Sequence, residues 1–430
     1  VFASGQAPTA RLRETPEADA REAVLFSSSN YLGLAEDTRV VAAAVAATET
    51  FGAGSGGSRL TTGTSDLHVR AEAAVARFTG YADAVLFATG YQANVSTLQA
   101  LAAACRGPGL TIVSDAKNHA SIIDGCRLAK ASGAEVRVTE HRDVAAVDRA
   151  LANRTTEYAL VVTDGLFSMD GVCAPLPELI EVCRRHGAWS MLDDAHAIGT
   201  IGDTGRGLPE YFGMRPDLQL ITASKALGAE GAAVATSAPV AELLRQQARA
   251  FVFSTSPAPA TCAALTAAVE ILERDPGPVT RLHDNIARWH GCRGTITSDP
   301  AGAGPIIPVH VGDEAAAMQA AAQLQARNFV VPAIRWPSCS MPRASTTPRC
   351  RPSPAGRACP RPRSCSRQLP TRPATASACS RRAVRCPSPV IRASAPHTSC
   401  SMPDSPRRAM ACCCSAAARS RMPRAAASAR

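Results

Sequence analysis

Short apolar runs alternate with amphipathic stretches between residues 84 and 236. Near-continuous apolar runs predict strands that are buried on both faces, as in parallel sheets. The predicted strands are 84–88, 111–114, 135–139, 158–163, 189–193, 218–222 and 232–236, and the predicted helices between them are 91–104, 119–131, 143–152 and 176–186. This alternation predicts an α/β fold with a mainly parallel sheet sandwiched by helices.

A second, shorter pattern follows the first. It predicts a helix over 258–273, a strand over 304–310, a helix over 313–326 and a strand over 329–334. We interpret it as the start of a smaller, incomplete α+β C-terminal domain. The predicted organisation is an N-terminal arm at 1–37, a large domain at 38–275, the start of the small domain at 276–335 and a tail at 336–430.

Composition changes abruptly after Arg335. The tail holds 18 Arg, no Lys and one acidic residue, Asp404, so its net charge is +17. The preceding residues hold 28 Lys and Arg against 35 Asp and Glu, a net charge of −7. The tail also holds 15 of the 31 prolines and 10 of the 16 cysteines. The overall charge of +10 therefore comes from the tail alone.

Three interpretations of the tail compete. A disordered arm that binds nucleic acid usually mixes Lys with Arg and rarely carries ten cysteines. A disulfide or metal module would need paired cysteines or histidines at ligand spacing, which the tail lacks. Out-of-frame translation of a GC-rich gene produces this mixture of Arg, Pro, Ala, Ser and Cys. We favour the third interpretation, and we predict a low-complexity tail, frame-shifted or disordered, with no specific nucleic-acid partner.

Residues 1–335, the body of the chain, show no segment that would direct the protein into or across a membrane. No window approaches 18 consecutive apolar residues, so no membrane span is predicted. The first 25 residues lack a basic start followed by an apolar core, so no signal peptide is predicted. The spacing of the body's six cysteines matches no disulfide framework, so we expect them to be buried thiols, as in a protein of the reducing cytosol. We predict a cytoplasmic protein without a membrane partner.

Two residues with complementary chemistry follow neighbouring predicted strands. Lys225 lies just past strand 218–222 among small and hydroxylated residues, and Asp193 ends strand 189–193. Ligands bind beyond the carboxyl ends of the strands in such sheets. Pyridoxal phosphate enzymes pair a Schiff-base lysine with an aspartate that keeps the pyridine nitrogen protonated. We therefore predict a pyridoxal phosphate site, against the alternative of a surface lysine.

Further candidates also follow predicted strands. His119 could stack on the cofactor ring, Ser168 could bond its phenolic oxygen, and the helix start at 89–92 offers backbone N–H groups to a phosphate. The plain alternatives are a loop histidine, a turn hydroxyl and an ordinary βα turn. The run around Asp193 offers too few ligands for a metal, so no metal site is predicted. The glycine-rich segment 52–59 follows no clear strand, and we interpret it as a mobile loop rather than a nucleotide-binding loop.

Eight short motifs occur in a fixed order along residues 29–257. They are SNYLGL at 29–34, GGSR at 56–59, NHAS at 118–121, FSMDG at 167–171, DDAH at 193–196, GRG at 205–207, SK at 224–225 and FSTSP at 253–257. As a set they resemble the α-oxoamine synthases, pyridoxal phosphate transferases of aminotransferase fold type I that condense an amino acid with an acyl thioester. The resemblance covers about residues 25–335. It implies a homodimer whose active sites are shared between subunits.

The resemblance also implies roles for individual residues. Lys225 would form the Schiff base and move the Cα proton of the amino acid, and Asp193 would pair with the pyridine nitrogen. His119 would stack on the ring, while His196 and Ser168 would contact the phenolic oxygen. The remaining roles are phosphate binding by Gly90, Tyr91 and Thr222, contact of Thr255 with a neighbouring subunit's phosphate, and placement of Asn30 and Arg335 near the substrate carboxylate.

Motif details divide the branches of the family. The GGSR loop, DDAH and VPAIR at 331–335 resemble the branch that condenses L-alanine with a pimeloyl thioester, on CoA or acyl carrier protein, in biotin biosynthesis. The run NHASIIDG at 118–125 equally resembles the branch that acetylates glycine from acetyl-CoA. A hypothesis of another class is an inactive remnant. It arises because the family continues past this point with Pro-Pro-Thr and an arginine-bearing strand, whereas this chain continues with Trp336, Pro337 and Ser338.

Overall fold

The structure is a computed structural model that describes residues 1–107, 109–293 and 304–334. Arg335 and the predicted tail at 336–430 lie outside the described residues. Within the described ranges, no helix combines the length and the apolar character needed to cross a bilayer.

A seven-stranded sheet forms the centre of the described structure. Its strands are β3 (Asp83–Phe87), β4 (Leu110–Asp115), β5 (Glu135–Thr139), β6 (Tyr158–Asp164), β7 (Trp189–Asp193), β8 (Leu218–Thr222) and β9 (Ala232–Thr236), in the spatial order β3-β9-β8-β7-β6-β4-β5. Only β9 runs antiparallel to its neighbours. Every residue of β6, β7, β8 and β9 is buried, as the continuous apolar runs predict.

Helices cover both faces of this sheet. They are α1 (Thr38–Phe51), α2 (Asp66–Thr79), α3 (Gly90–Ala104), α4 (Ala120–Ala131), α5 (Val144–Ala152), α6 (Leu176–His186), α7 (Leu208–Phe212), α8 (Ala238–Gln247), α9 (Arg249–Phe253) and α10 (Pro259–Arg274). Two further helices, α11 (Gly277–Arg293) and α12 (Glu314–Ala326), follow along the chain. In α6 the buried residues Leu176, Leu179, Ile180 and Cys183 recur at helical spacing, so one face packs on the sheet. Three apolar clusters between helices and sheet form the core.

A second, three-stranded sheet lies at the ends of the described chain. Its strands are β1 (Thr9–Leu12), β2 (Arg21–Leu25) and β10 (Phe329–Val330). The strand β2 pairs antiparallel with β1 and parallel with β10, with Val24 opposite Phe329. The predicted N-terminal arm therefore contributes two strands to a sheet with the predicted small domain. The domain boundaries themselves stay predictions.

The structure differs from the sequence-based elements in two ways: predicted strands after residue 300 are absent or shorter, and several elements before it were not predicted. Residues 304–310, predicted as a strand, have no strand structure, and β10 has two residues where 329–334 were predicted. Pro305, Pro308 and Pro332 explain this, because proline cannot donate the ladder hydrogen bond. The helices α1, α2, α7, α8, α9 and α11 and the strands β1 and β2 were not predicted.

Candidate active site

A cavity of about 260 Å³ opens at the carboxyl ends of the parallel strands. Eight of the predicted site residues line it, namely Gly90, Tyr91, His119, Ser168, Asp193, His196, Thr222 and Lys225. Residues to which the sequence assigned no role line it as well, among them Asn94, Ser121, Asp164 and Ser224. A second cavity, of about 370 Å³, lies between α1 and α10. Apart from Glu49 its lining has no titratable side chain, so the first cavity is the candidate active site.

Lys225 enters the cavity from the turn after β8. Burial lowers the pKa of its ammonium group, and the nearby carboxylates of Asp193 and Asp164 act in the opposite direction. A lower pKa makes the neutral amine more available, which a lysine needs in order to act as a nucleophile or base.

Asp193 ends β7 and receives two hydrogen bonds. Asn94 Nδ2 donates to its Oδ2 across 2.6 Å, and the backbone N–H of Ala195 donates to its Oδ1 across 3.1 Å. Asn94 Nδ2 also donates to Ser121 Oγ across 2.9 Å, and Ser121 Oγ lies 2.7 Å from His119 Nδ1. Asn94 and Ser121 thus join the predicted ring-stacking histidine to the predicted partner of the ring nitrogen.

Asp164 is a second buried acid beside Asp193. The two residues are directly opposite in the β6–β7 register, so their side chains share one face of the sheet. Asp164 Oδ1 accepts the backbone N–H of His119 across 3.3 Å. Burial, followed by the negative charge of Asp193, raises the pKa of Asp164 well above its usual range. Asp164 therefore retains its proton more readily than an ordinary carboxyl group.

His196 contacts a tyrosine from the N-terminal segment. The distance from Tyr31 Oη to His196 Nδ1 is 2.8 Å. Burial, together with the charges of Lys225 and His119, lowers the pKa of His196 to about 3. Burial raises the pKa of Tyr31 to about 12. Both side chains are therefore neutral at pH 7.

The start of α3 forms the opposite wall. Thr89 caps the helix by accepting the N–H of Gln92. A Cβ placed on Gly90 would lie 3.8 Å from Thr222 Oγ1, so α3 and β8 meet here. Thr222 Oγ1 lies 2.7 Å from Ser224 Oγ. Helix-start N–H groups and clustered hydroxyls are donors suited to a phosphate.

Two predicted residues lie outside the cavity lining. Asn30 Oδ1 accepts the N–H of Ala35 across 3.2 Å. The backbone of Thr255 forms an isolated antiparallel β-bridge with Ser58 in the glycine-rich loop. The adjacent Ser256 N–H donates to Gly57 O across 2.9 Å, so the loop predicted to be mobile is bonded to the segment that carries Thr255.

Four contributors were missed for one reason. Asn94, Ser121, Asp164 and Tyr31 act through contacts with other site residues, and sequence spacing does not show such contacts. A weak signal was present, because Asn94 and Ser121 lie only six and seven residues after the predicted strands 84–88 and 111–114 end.

The donor set fits pyridoxal phosphate. It combines a buried lysine of lowered pKa, an aspartate held by two donors, a histidine held by Ser121 and a helix start. The buried Asn94 Oδ1 has no partner among the described residues, as expected where a ligand completes a site.

The chain belongs to the aminotransferase class I and II family, whose model matches residues 21–359. Within that family it is an α-oxoamine synthase, as the motifs predicted. It is 46% identical over 360 residues to the biotin biosynthesis bifunctional protein BioWF of Corynebacterium kroppenstedtii, covering 75% of this chain and 50% of that protein. It is 43% identical over 316 residues to the 8-amino-7-oxononanoate synthase of Mycolicibacterium gilvum, covering 73% and 80%. The chain thus spans about half the length of the bifunctional relative.

Solved structures agree with the fold. The serine palmitoyltransferase of S. paucimobilis, with bound PLP-myriocin aldimine, superposes with a TM-score of 0.70 at 32% identity, covering 77% of this chain and 84% of that one. The 8-amino-7-oxononanoate synthase of Francisella tularensis superposes with a TM-score of 0.61 at 25% identity, covering 73% and 89%. The predicted fold class and the predicted cofactor, pyridoxal phosphate, are confirmed.

Proposed function

We propose that this chain condenses L-alanine with a pimeloyl thioester to give 8-amino-7-oxononanoate, with release of CO₂ and the free thiol. The observation that carries the proposal is that Lys225 and Asp193 line one buried cavity with His119 and His196. The similarity to 8-amino-7-oxononanoate synthases supports the choice of substrates. Pyridoxal phosphate supplies an electron sink for negative charge at the Cα of the amino acid.

The residues of the chain have distinct proposed tasks. Lys225 would hold the cofactor and carry the Cα proton, a task for which a lowered pKa suits it. Asp193, oriented by Asn94, holds the proton on the pyridine nitrogen. His119 would cover one face of the ring. His196 and Ser168 would contact the phenolic oxygen, and Gly90, Tyr91 and Thr222 would hold the phosphate; all six residues line the cavity.

Further parts of the proposal extend beyond the cavity. Asn30 and Arg335 would lie near the substrate carboxylate. Thr255 would reach the phosphate of a neighbouring subunit, which makes the active unit a homodimer. The backbone hydrogen bonds between the Thr255 segment and the glycine-rich loop support this role, because they fix Thr255 at a position outside the cavity of its own subunit. A cytoplasmic location also belongs to the proposal.

The test measures the substrate pair directly. The protein, loaded with pyridoxal phosphate, is incubated with L-alanine or glycine and with pimeloyl-CoA or acetyl-CoA. Thiol release is followed by absorbance, and the product is identified by mass spectrometry. We expect 8-amino-7-oxononanoate from alanine and pimeloyl-CoA. Faster turnover of glycine with acetyl-CoA would contradict the proposed substrates, and no turnover of either pair would support the inactive remnant.

A matched pair of lysine variants tests the site. Lys225→Ala should abolish turnover, and borohydride should fix the cofactor to the Lys225 peptide of the unaltered protein. Lys130→Ala, at an exposed position of α4, should leave both results unchanged. Label on Lys130 or Lys117 would contradict the assignment.

A further inference from the structure

The contact between Tyr31 and His196 joins the N-terminal segment to the cavity. Tyr31 Oη lies 2.8 Å from His196 Nδ1, although 165 positions separate the two residues. His196 lines the cavity, whereas Tyr31 is not among the lining residues. Tyr31 therefore contacts the imidazole from behind. Since its Nδ1 is engaged, Nε2 is the nitrogen that can meet a ligand in the cavity.

The protonation states of the two groups decide which one donates. Burial raises the pKa of Tyr31 to about 12, so the phenol keeps its proton at pH 7. The pKa of His196 is lowered to about 3 by burial and by the charges of Lys225 and His119, so the imidazole is neutral. A neutral imidazole has one N–H and one acceptor nitrogen. The tautomer is therefore set by which of the two partners donates.

The chemistry of the two groups sets the direction of the bond. A phenol O–H is a stronger hydrogen-bond donor than a neutral imidazole N–H, and an imidazole nitrogen is a stronger acceptor than a phenol oxygen. The Tyr31 hydroxyl therefore donates to His196 Nδ1 across the 2.8 Å contact. The ring proton of His196 accordingly lies on Nε2, toward the cavity. The hydrogen bond from Thr200 Oγ1 to the His196 carbonyl fixes the backbone of the same residue.

We propose that Tyr31 is a positioning residue that fixes His196 in the Nε2–H tautomer, so that His196 presents a hydrogen-bond donor to the phenolic oxygen of the cofactor. The inference rests on the proposed function in one respect, that His196 meets this oxygen of pyridoxal phosphate. The other tautomer would turn a lone pair toward an oxygen that carries negative charge, and it would repel the cofactor.

The first experiment reads the tautomer without cofactor or substrate. Nitrogen-15 NMR of histidine-labelled apoprotein distinguishes protonated from unprotonated ring nitrogens, and His196→Gln assigns the His196 signals among the nine histidines. We expect a protonated Nε2 and an unprotonated Nδ1 in the unaltered protein. Tyr31→Phe should give a mixture of tautomers. A protonated Nδ1 in the unaltered protein, or no change in Tyr31→Phe, would overturn the proposal.

A matched control separates positioning from the loss of a buried hydroxyl. Tyr81 also bears a hydroxyl with one hydrogen bond, to the carbonyl of Pro216 at 2.8 Å, and it lies outside the cavity lining. Tyr81→Phe should therefore leave the His196 signals unchanged. A change as large as that in Tyr31→Phe would mean that both variants act through general loosening of the fold, and it would overturn the proposal.

The second experiment uses the protein loaded with pyridoxal phosphate. A hydrogen-bond donor at the phenolic oxygen of the cofactor stabilises the negative charge of that oxygen. Weakening the donor should therefore raise the pH at the midpoint of the change in cofactor absorbance. We expect a rise of about 0.5 to 1 pH unit in Tyr31→Phe and none in Tyr81→Phe. In Tyr31→Phe kcat should fall about 3- to 10-fold, with the KM for the amino acid within about twofold.

The two hypotheses fail in different ways. If the unaltered protein does not turn over L-alanine with pimeloyl-CoA but Tyr31→Phe still shifts the titration, the proposed substrates are wrong and the positioning role stands. If turnover is normal and Tyr31→Phe matches the unaltered protein in tautomer and titration, the positioning role is wrong and the proposed function stands.

Discussion

Asn94 Nδ2 donates a hydrogen bond to Asp193 Oδ2 across 2.6 Å, and 99 positions of sequence separate the two residues. Asn94 lies in the second turn of α3, and Asp193 is the last residue of β7. The bond holds a carboxylate in one orientation at the bottom of a buried site. A helix that begins at the proposed phosphate site thus also orients the proposed partner of the pyridine nitrogen.

We expect Asn94→Ala to weaken pyridoxal phosphate binding by about 10- to 100-fold. Hydrogen bonds to charged groups contribute about 1.5 to 3 kcal/mol, and Asp193 would lose one of its two donors. The dissociation constant is measured by absorbance titration of the apoprotein. Asn153→Ala is the control, because the Asn153 side chain bonds only the backbone of an exposed helix end. Equal affinity in the two variants would show that Asn94 does not orient Asp193.

Gly228, in the turn after Lys225, should not tolerate a side chain. It has a φ of +64°, and an added Cβ would lie 2.2 Å from Ala35 N and 2.5 Å from Leu34 C. Gly228→Ala should therefore cost clearly more than the roughly 1–2 kcal/mol of left-handed backbone strain alone. Urea unfolding provides the free energy.

Gly213 is the matched control for this substitution. Its φ is +60°, and an added Cβ would meet no atom within 4 Å. Gly213→Ala should cost only the backbone strain. Similar losses in the two variants would contradict the close approach of the Lys225 turn to the segment at Leu34 and Ala35.

The buried ion pair between Arg59 and Glu72 should be important for stability. The two guanidinium Nη atoms lie 3.0 and 3.1 Å from the carboxylate oxygens, and the Leu86 N–H also donates to Glu72. Glu72→Gln would leave a buried guanidinium without its counter-charge, which typically costs about 3–5 kcal/mol. Chemical denaturation measures the loss.

An exposed pair in the same helix provides the comparison. Asp66 pairs with Arg70 one turn away at the surface, and Asp66→Asn should cost less than about 1 kcal/mol. Comparable losses in Glu72→Gln and Asp66→Asn would mean that the Arg59 pair is solvated in the folded protein.

Asp194 should make stability depend on pH. Burial raises its pKa from 3.8 to about 7. The folded protein therefore binds the Asp194 proton more tightly than the unfolded chain does, and the free energy of unfolding should fall as pH rises from about 4 to 7. The expected contribution over this range is about 2–4 kcal/mol. Urea titrations at several pH values measure it.

Asp194→Asn should reduce this pH dependence. Its side-chain oxygen can still accept from Gln219 Nε2 and Leu208 N, which lie 2.8 and 3.2 Å from Asp194 Oδ2. Asp203→Asn, at an exposed position, should keep the slope of the unaltered protein. Parallel curves for the Asp194 variant and the unaltered protein would show that the carboxyl group of Asp194 does not titrate in this range.

The sheet was predictable from sequence because its strands are short apolar runs with no competing helical period. The strands β5, β7, β8 and β9 have the predicted bounds, β6 is one residue longer than predicted, and β3 and β4 differ from the predicted ranges by one residue at each end. The helix α1 was missed because only two of its 14 residues, Val40 and Ala47, are buried, and α2 was missed because polar His68 and Glu72 interrupt its buried face. The strands β1 and β2 were missed because their stability comes from pairing with each other and with β10.

The candidate site likewise contains residues that local sequence predicts and residues that only contacts between distant segments reveal. Lys225, Asp193 and His119 were predictable because each chemical group immediately follows a strand that is itself recognisable. Asn94 and Tyr31 were not, because each contacts a site residue that is distant in sequence, Asp193 and His196 respectively. A single sequence carries no periodicity that links such pairs.

The pairing of β2 with β10 has a consequence for synthesis of the chain. Arg21 donates a hydrogen bond to the Gln325 carbonyl, a partner 304 positions later. A ribosome that adds about 5–20 residues per second requires roughly 15–60 s to produce that partner. Throughout this interval one edge of β2 has no neighbour, and Ala23 and Leu25, which are buried in the folded protein, lack part of their cover. The strand β2 thus leaves the exit tunnel long before its partner β10 exists, and for that interval a chaperone acting on the nascent chain would find its substrate there.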